Sequence, residues 1–289
     1  MKDLTFPALF VTADAASKSQ QRTYLILIRC EYMLLLLAAI LTMVNSTNSV
    51  FLSVYACIFI ASLGVSAWRA YVRPEQSWYK SRALAESIKT LSWRYAMRSE
   101  PFDDTLEVSA NKDFRDTLAM LLRSNRQIGQ HLVGLDATGP QITDTMSAMR
   151  NSAFHNRKSY YLTGRIEDQQ RWYVHKAMAN KNAAKIWQLV GVACYILGVA
   201  MVLLHIKFTS IVFPIEPIIV TASAILGWVQ IKKFNELASA YALTGHEIGL
   251  AATIITDAKT ETDFSKAVNE VELVFSREHT QWIARQTAR

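Results

Sequence analysis

Hydrophobic positions along this chain gather into four long runs instead of short alternations. The first covers residues 25–44: Arg29 and Glu31 lie near its entry, and residues 32–44 carry no charge. The second, 50–68, is also uncharged, and only the polar stretch 45–49 separates the two. The third, 186–206, has no formal charge when His205 is neutral, and the fourth, 211–231, contains Glu216. A helix needs about 20 apolar residues to cross a hydrocarbon layer about 30 Å thick. The runs therefore predict four transmembrane helices in two tight hairpins. The first run fits with Arg29 and Glu31 in the headgroup zone, where long side chains reach water. Buried helices of a soluble bundle would show a polar stripe, which these lack. Residues 1–20 are polar, and a second apolar run follows the first at once, unlike a secretory leader.

The flanks set an orientation. Arg22 and Arg29 precede the first run, and Arg69, Arg73, Lys80 and Arg82 follow the second. Lys176, Lys181 and Lys185 precede the third, and Lys232 and Lys233 follow the fourth. The short connections carry almost no charge. The positive-inside bias then places both termini and the middle of the chain in the cytoplasm. The expected location is a membrane crossed four times, with the polar helices on its cytoplasmic side.

The remaining sequence reads as helical. Trp78, Arg82, Glu86, Lys89 and Trp93 recur at three or four residues, the helical spacing. Pro74 kinks or restarts this helix and Pro101 stops it. Around Gly129, Gly134, Gly139 and Pro140 the chain forms a loop or a small helical element ending in a turn. From 142 to 206 there is no proline, so one long helix and a break near Gly164 stand as alternatives. Residues 234–253 and 264–284 give two more helices, the last with Val268, Val271, Phe275 and Trp282 apolar. The expected class is an all-α membrane protein, four spans in two hairpins with long cytoplasmic helices forming a bundle. Each half has a lead-in, a hairpin and a helical tail, which suggests a duplicated unit. The units expected are 1–140, with cytoplasmic helices over 69–135, and 141–289, with cytoplasmic helices over 142–183 and 234–285.

Composition adds exclusions. The chain has 289 residues, 31 Lys and Arg against 24 Asp and Glu, and only 19% charged positions. Three cysteines, Cys30, Cys57 and Cys194, make no disulfide framework. There is no zinc spacing, no phosphate-binding glycine loop and no nucleophile elbow. His246 and Glu247, like Glu278 and His279, are adjacent pairs whose side chains diverge by about 100° on a helix. Structural contacts suit them better than acid–base work. No catalytic residue, cofactor or metal is expected, nor direct nucleic-acid binding.

Two other sets invite a functional reading. The aromatic and basic residues Trp78, Trp93, Arg82, Arg94, Arg171, Trp172, Tyr173 and Lys176 pack a helical bundle or build a ligand or partner site. Small residues repeat three or four apart: Ser62 and Ser66; Gly191, Cys194 and Gly198 on a shared face; Ser223 and Gly227. They allow close helix pairing or self-association, or line a narrow pore. Glu216, between Pro214 and Pro217, caps its helix or rings an outer mouth.

The pattern Trp78-Tyr-x-x-Arg82-Ala-x-x-Glu86-Ser87-x-Lys89-x-x-x-Trp93-Arg-Tyr95, then Pro101-Phe102, resembles the SLATT-type family. So do Gln169-Gln-x-Trp172-Tyr173-x-x-Lys176 before a hairpin and Tyr241-x-x-x-x-His246-Glu247 after it. The stretch Val271-Glu272-x-x-x-Ser276-Arg-Glu278-His279-Thr-x-Trp282 is the most specific piece. The resemblance covers two tandem units over roughly 15–285. It implies two-span membrane effector modules that kill or arrest infected bacteria, found beside nucleotide second-messenger synthases and sensors. It supplies no catalytic residue. Its implied partners are membrane lipid, further copies of the chain, and a nucleotide second messenger or a sensor protein encoded nearby. The expected function is a gated pore or depolarising effector. A membrane scaffold that docks a cytoplasmic effector or nucleotide-signalling enzyme is the alternative. A transporter or membrane enzyme fits less well, because the spans lack polar groups at their middles.

Overall fold

A computed structural model describes residues 3–44, 46–131 and 138–287, with side chains described as far as residue 276 apart from Gln130 and His131. Within these residues every regular element is a helix. In chain order they are α1 (Ala8–Leu41), α2 (Ser49–Val72), α3 (Pro74–Ala96), α4 (Glu107–Ser124), a 3-10 helix (Arg126–His131), α5 (Asp144–Arg150) and α6 (Phe154–Tyr161). A π-helical turn (Leu162–Glu167) leads into α7 (Asp168–Lys207), followed by α8 (Ile215–Lys232), α9 (Phe234–Asp257) and α10 (Glu261–Thr287). Four helices are long and apolar enough to cross a membrane. The chain divides into two compact units.

The apolar unit holds residues 23–73 and 174–242. Its first hairpin turns early: α1 ends at Leu41, three residues before the apolar run does. Asn48 then caps α2, its Oδ1 accepting the Val50 amide at 2.9 Å and satisfying a helix N-terminal donor. In the second hairpin, Pro214 keeps residues 211–213 out of the helix, so α8 begins at Ile215 and not at 211. His205 Nδ1 lies 3.2 Å from the Ile211 carbonyl, which can only accept, so Nδ1 carries the proton. Both hairpins leave through the same device. Arg73 (φ 46°) ends α2 and Lys233 (φ 48°) ends α8, each in the left-handed conformation. Their amides bond the carbonyls of Arg69 and Val229. A new helix starts at the next residue, so Pro74 restarts a helix instead of kinking one, as suits its missing amide proton.

The polar unit holds residues 1–22, 74–173 and 243–289. Helices from both halves of the chain share its core: α3 packs on α10, α4 and α5. On α10, Phe264, Val268, Val271 and Phe275 are buried at helical spacing. On α4, Ala110, Phe114 and Leu118 form one apolar row. Phe114 meets Tyr95 and Phe102 with ring centroids 4.9 and 5.5 Å away. The start of α1 is capped from a distance: the Ala8 amide donates to the Pro140 carbonyl at 3.1 Å and the Leu9 amide to Gln141 Oε1 at 3.3 Å.

The chain between 142 and 206 follows neither expected form. It breaks at Asn151–Ala153, between α5, which Thr143 caps at its start, and α6, whose N-cap is Ala153. Gly164 does not interrupt it; there the backbone widens into the π-helical turn and continues. α3 also stops at Ala96, before Pro101, because Arg98 turns left-handed (φ 54°).

Candidate functional site in the polar unit

The stripe read from the sequence on α3 becomes the wall of a charged cluster. Residues 78, 82, 86, 89 and 93 lie within a narrow sector of the helix. Trp78 stacks on Tyr79 with centroids 4.7 Å apart. Arg82 pairs with Glu86 one turn on and reaches Asp14 of α1 at 3.3 Å. Lys89 follows, and then Trp93, whose ring meets Tyr160 and Tyr161 at 5.8 and 5.7 Å.

Arg165, carried by the π-helical turn, completes the cluster. It is 2% exposed and forms a bidentate pair with Glu272 of α10, itself wholly buried. Nε donates to Oε1 at 2.8 Å and Nη2 to Oε2 at 2.7 Å. The Tyr161 hydroxyl donates to the same Oε1 at 2.9 Å. The guanidinium also lies 4.3 Å from the Phe275 ring centroid and 5.8 Å from that of Trp93. Burial works against the charge on Arg165, but the attraction and hydrogen bonds of Glu272 outweigh it and hold the pKa above the ordinary arginine value. Burial, then the Glu272 charge, pushes the Tyr161 phenol well up, so it stays a donor. Lys89 goes the other way. Burial, and next the nearby Arg165, lower its pKa against the smaller pull of Glu86. Arg94 is lowered by burial as well, and its Nε is a buried donor without a hydrogen bond. Arg165 Nη1 and Trp93 Nε1 are in the same condition. The cluster thus joins paired charges and buried donors without hydrogen bonds in an aromatic frame.

Sequence reasoning passed over Arg165, Arg150 and Arg157. Arg150, 1% exposed, donates to the carbonyls of Tyr95, Phe102 and Asp104 and so pins the loop after α3. Arg157, 1% exposed, pairs with Glu261 at the start of α10. The structure brings Arg82, Glu86, Lys89, Trp93 and Glu272 together. Arg171, Trp172, Lys176, His246 and Glu247 are exposed. Tyr173 is buried with Trp172 edge-on to it at 4.9 Å. Glu278, His279 and Trp282 lie outside the described side chains. Among the described residues no group of three His, Cys, Asp or Glu could hold a metal.

In the apolar unit the small residues sit at helix contacts. Gly227 is close to Tyr32, where a Cβ would collide with the Tyr32 hydroxyl. Gly191 faces Ile225 and Gly198 faces Ile218. Cys194, Gly198 and Ser223 line one groove of about 350 Å³. Ser62 and Ser66 are half-buried on α2, and Glu216 is exposed in the first turn of α8.

Residues 7–158 match the SMODS and SLOG-associating 2TM effector domain 3, and residues 161–282 match the SMODS and SLOG-associating 2TM effector domain 1. The chain belongs to this effector family. The effector domains stand in tandem, and each contains one of the two hairpins. No curated protein matches the chain, and no solved structure matches it.

Proposed function

We propose that this tandem effector is an oligomeric protein of the bacterial inner membrane, with both termini cytoplasmic, that forms a pore or depolarises the membrane during antiphage or conflict responses. Its two sequence units, 1–140 and 141–289, each carry one hairpin, and its polar helices act as the gate. The observation that carries this reading is the Arg165–Glu272 cluster. It ties α10 and the π-helical turn to α3, the helix that begins one residue after the second span. Buried ion pairs are good register devices, because a shifted register leaves charges unpaired. π-Turns recur at functional sites. A small anionic signal or a sensor protein engaging the half-exposed Arg82 end of this cluster would shift α3 against α10, and the α2–α3 junction would pass that shift to the membrane. The family description, SMODS and SLOG-associating, supports a nucleotide-signalling partner as the source of the signal.

The scaffold reading draws on exposed side chains such as Trp172, His246 and Glu247, which suit protein docking. Membrane potential in bacterial cells producing the full chain, read with a potential-sensitive dye, separates the two. The pore reading expects wild type or Glu272→Gln to collapse the potential. An intact potential in both, with a stable protein copurifying, supports the scaffold instead.

A further inference from the structure

A second groove of the apolar unit has the form of a lipid site. It encloses about 360 Å³ between α1, α7 and α8. Arg29, Trp187 and Trp228 stand at one end, and Leu36 and Val220 at the other. Leu36 is seven residues along α1 from Arg29, and Val220 eight residues before Trp228 on α8. At 1.5 Å per residue the groove therefore runs about 10–12 Å into the apolar spans. Between the two ends its wall includes Tyr32, Met33, Thr221, Ala224 and Ile225.

The near end is cationic. The Arg29 guanidinium carbon lies 5.4 Å from the Trp228 ring centroid, and Lys232 Nζ lies 5.4 Å from the same centroid. Among the described residues neither cation has an ion pair with an acidic side chain. The carboxylate next in line, Glu31, is taken by Arg69 at 3.0 Å. Trp228 Nε1 is a buried donor without a hydrogen bond. Two like charges and a spare donor around one indole are left unneutralised by the protein itself. Beyond them lies an apolar channel of the depth of an acyl chain segment.

We propose that this groove binds one anionic membrane phospholipid. Its phosphate sits between Arg29 and Lys232, an ester or phosphate oxygen accepts from Trp228 Nε1, and an acyl chain lies along Met33, Leu36 and Val220. Basic sites between spans at the membrane surface recognise such headgroups. A zwitterionic lipid would bring its own cation against two others. The inference rests on the four helices lying in a bilayer, not on any permeability.

The test uses the full chain in detergent. Thermal unfolding is followed with dioleoylphosphatidylglycerol, dioleoylphosphatidylcholine or inorganic phosphate added, in wild type and in Arg29→Gln/Lys232→Gln. Phosphatidylglycerol is expected to raise the midpoint more than phosphatidylcholine, and the double variant to weaken its apparent affinity about tenfold or more. Equal effects of the two lipids overturn the proposal, as does an undiminished preference in the variant. An equal gain from phosphate alone overturns it too, because a free anion would then suffice. Should the variant not fold, quenching by lipids with brominated acyl chains decides, using a wild-type background carrying only Trp68→Phe. Stronger quenching by the phosphatidylglycerol form supports the site, and equal quenching by both forms rejects it.

Discussion

In the polar unit, Arg150, Arg157, Arg165 and Glu272 are almost wholly removed from solvent, and each has a hydrogen-bonded partner. In the apolar unit, none of the described polar side chains is buried to that degree. Its helices meet instead through glycines and alanines, and α2 has no buried residue at all. Its outward faces are apolar: Ile60 is 68% exposed and Leu63 70%. The contrast reflects the solvent each unit meets. Surrounded by water, the polar unit gains from burying side chains and can then specify its register with paired charges. Surrounded by lipid, an apolar helix gains little by burial, so close approach and interlocking shape decide the packing.

The largest effect that would sharpen this comparison is expected at Glu272. Glu272→Ala leaves the Arg165 guanidinium buried without its counter-charge, which costs about 3–5 kcal/mol. Denaturant unfolding of the detergent-solubilised chain should show this loss in the polar unit. Arg165→Met combined with Glu272→Leu should recover most of it. A double variant no better than the single one would mean that the pair contributes more than charge balance.

A smaller effect is expected across the contrast, in the apolar unit. Gly227→Leu drives a side chain into Tyr32, and overpacking of this kind costs about 1–3 kcal/mol. Tyr32→Ala should relieve part of that cost in the double variant. Thermal unfolding in lipid nanodiscs would check it, and additive effects of the two substitutions would break the assigned contact.

The smallest effect concerns Lys89. Its depressed pKa means that the folded chain gives up this proton at a lower pH than the unfolded chain does. Between the depressed value and the ordinary lysine value of about 10.4 the unfolded state binds more protons, so stability rises with pH. Lys89→Met should remove that rise and add about 1 kcal/mol at pH 7, where the wild type keeps a charged ammonium in a partly desolvated site beside Arg165. Chemical denaturation between pH 7 and 10 reads both. A loss of stability at pH 7 would show that Lys89 has a stabilising role instead.

The spans were legible because runs of about twenty residues with at most a stray charge have few other physical explanations. Their ends were less so. Arg73, Arg98 and Lys233 adopt left-handed backbones that a sequence announces only when glycine is present. The break at Asn151–Ala153 contains neither glycine nor proline, whereas Gly164, the conspicuous candidate, sits in a helical turn. Within the candidate cluster, α3 was readable from its spacing. Glu272 carried a further sign, falling on the stripe of Phe264, Val268 and Phe275, where an acid belongs only if something pays for its burial. Arg165 carried no such sign. A lone arginine reads as surface until the fold supplies its partner.

The central claim is that both hairpins cross a bilayer with the polar helices on the cytoplasmic side. Single cysteines at Thr47, Thr209 and Asp103, in a chain with its three native cysteines changed to serine, test it directly. A membrane-impermeant maleimide applied to cells with a permeable outer membrane should label positions 47 and 209 at once, and position 103 only after lysis. Labelling of 103 in intact cells, or protection of both turns, would contradict the account.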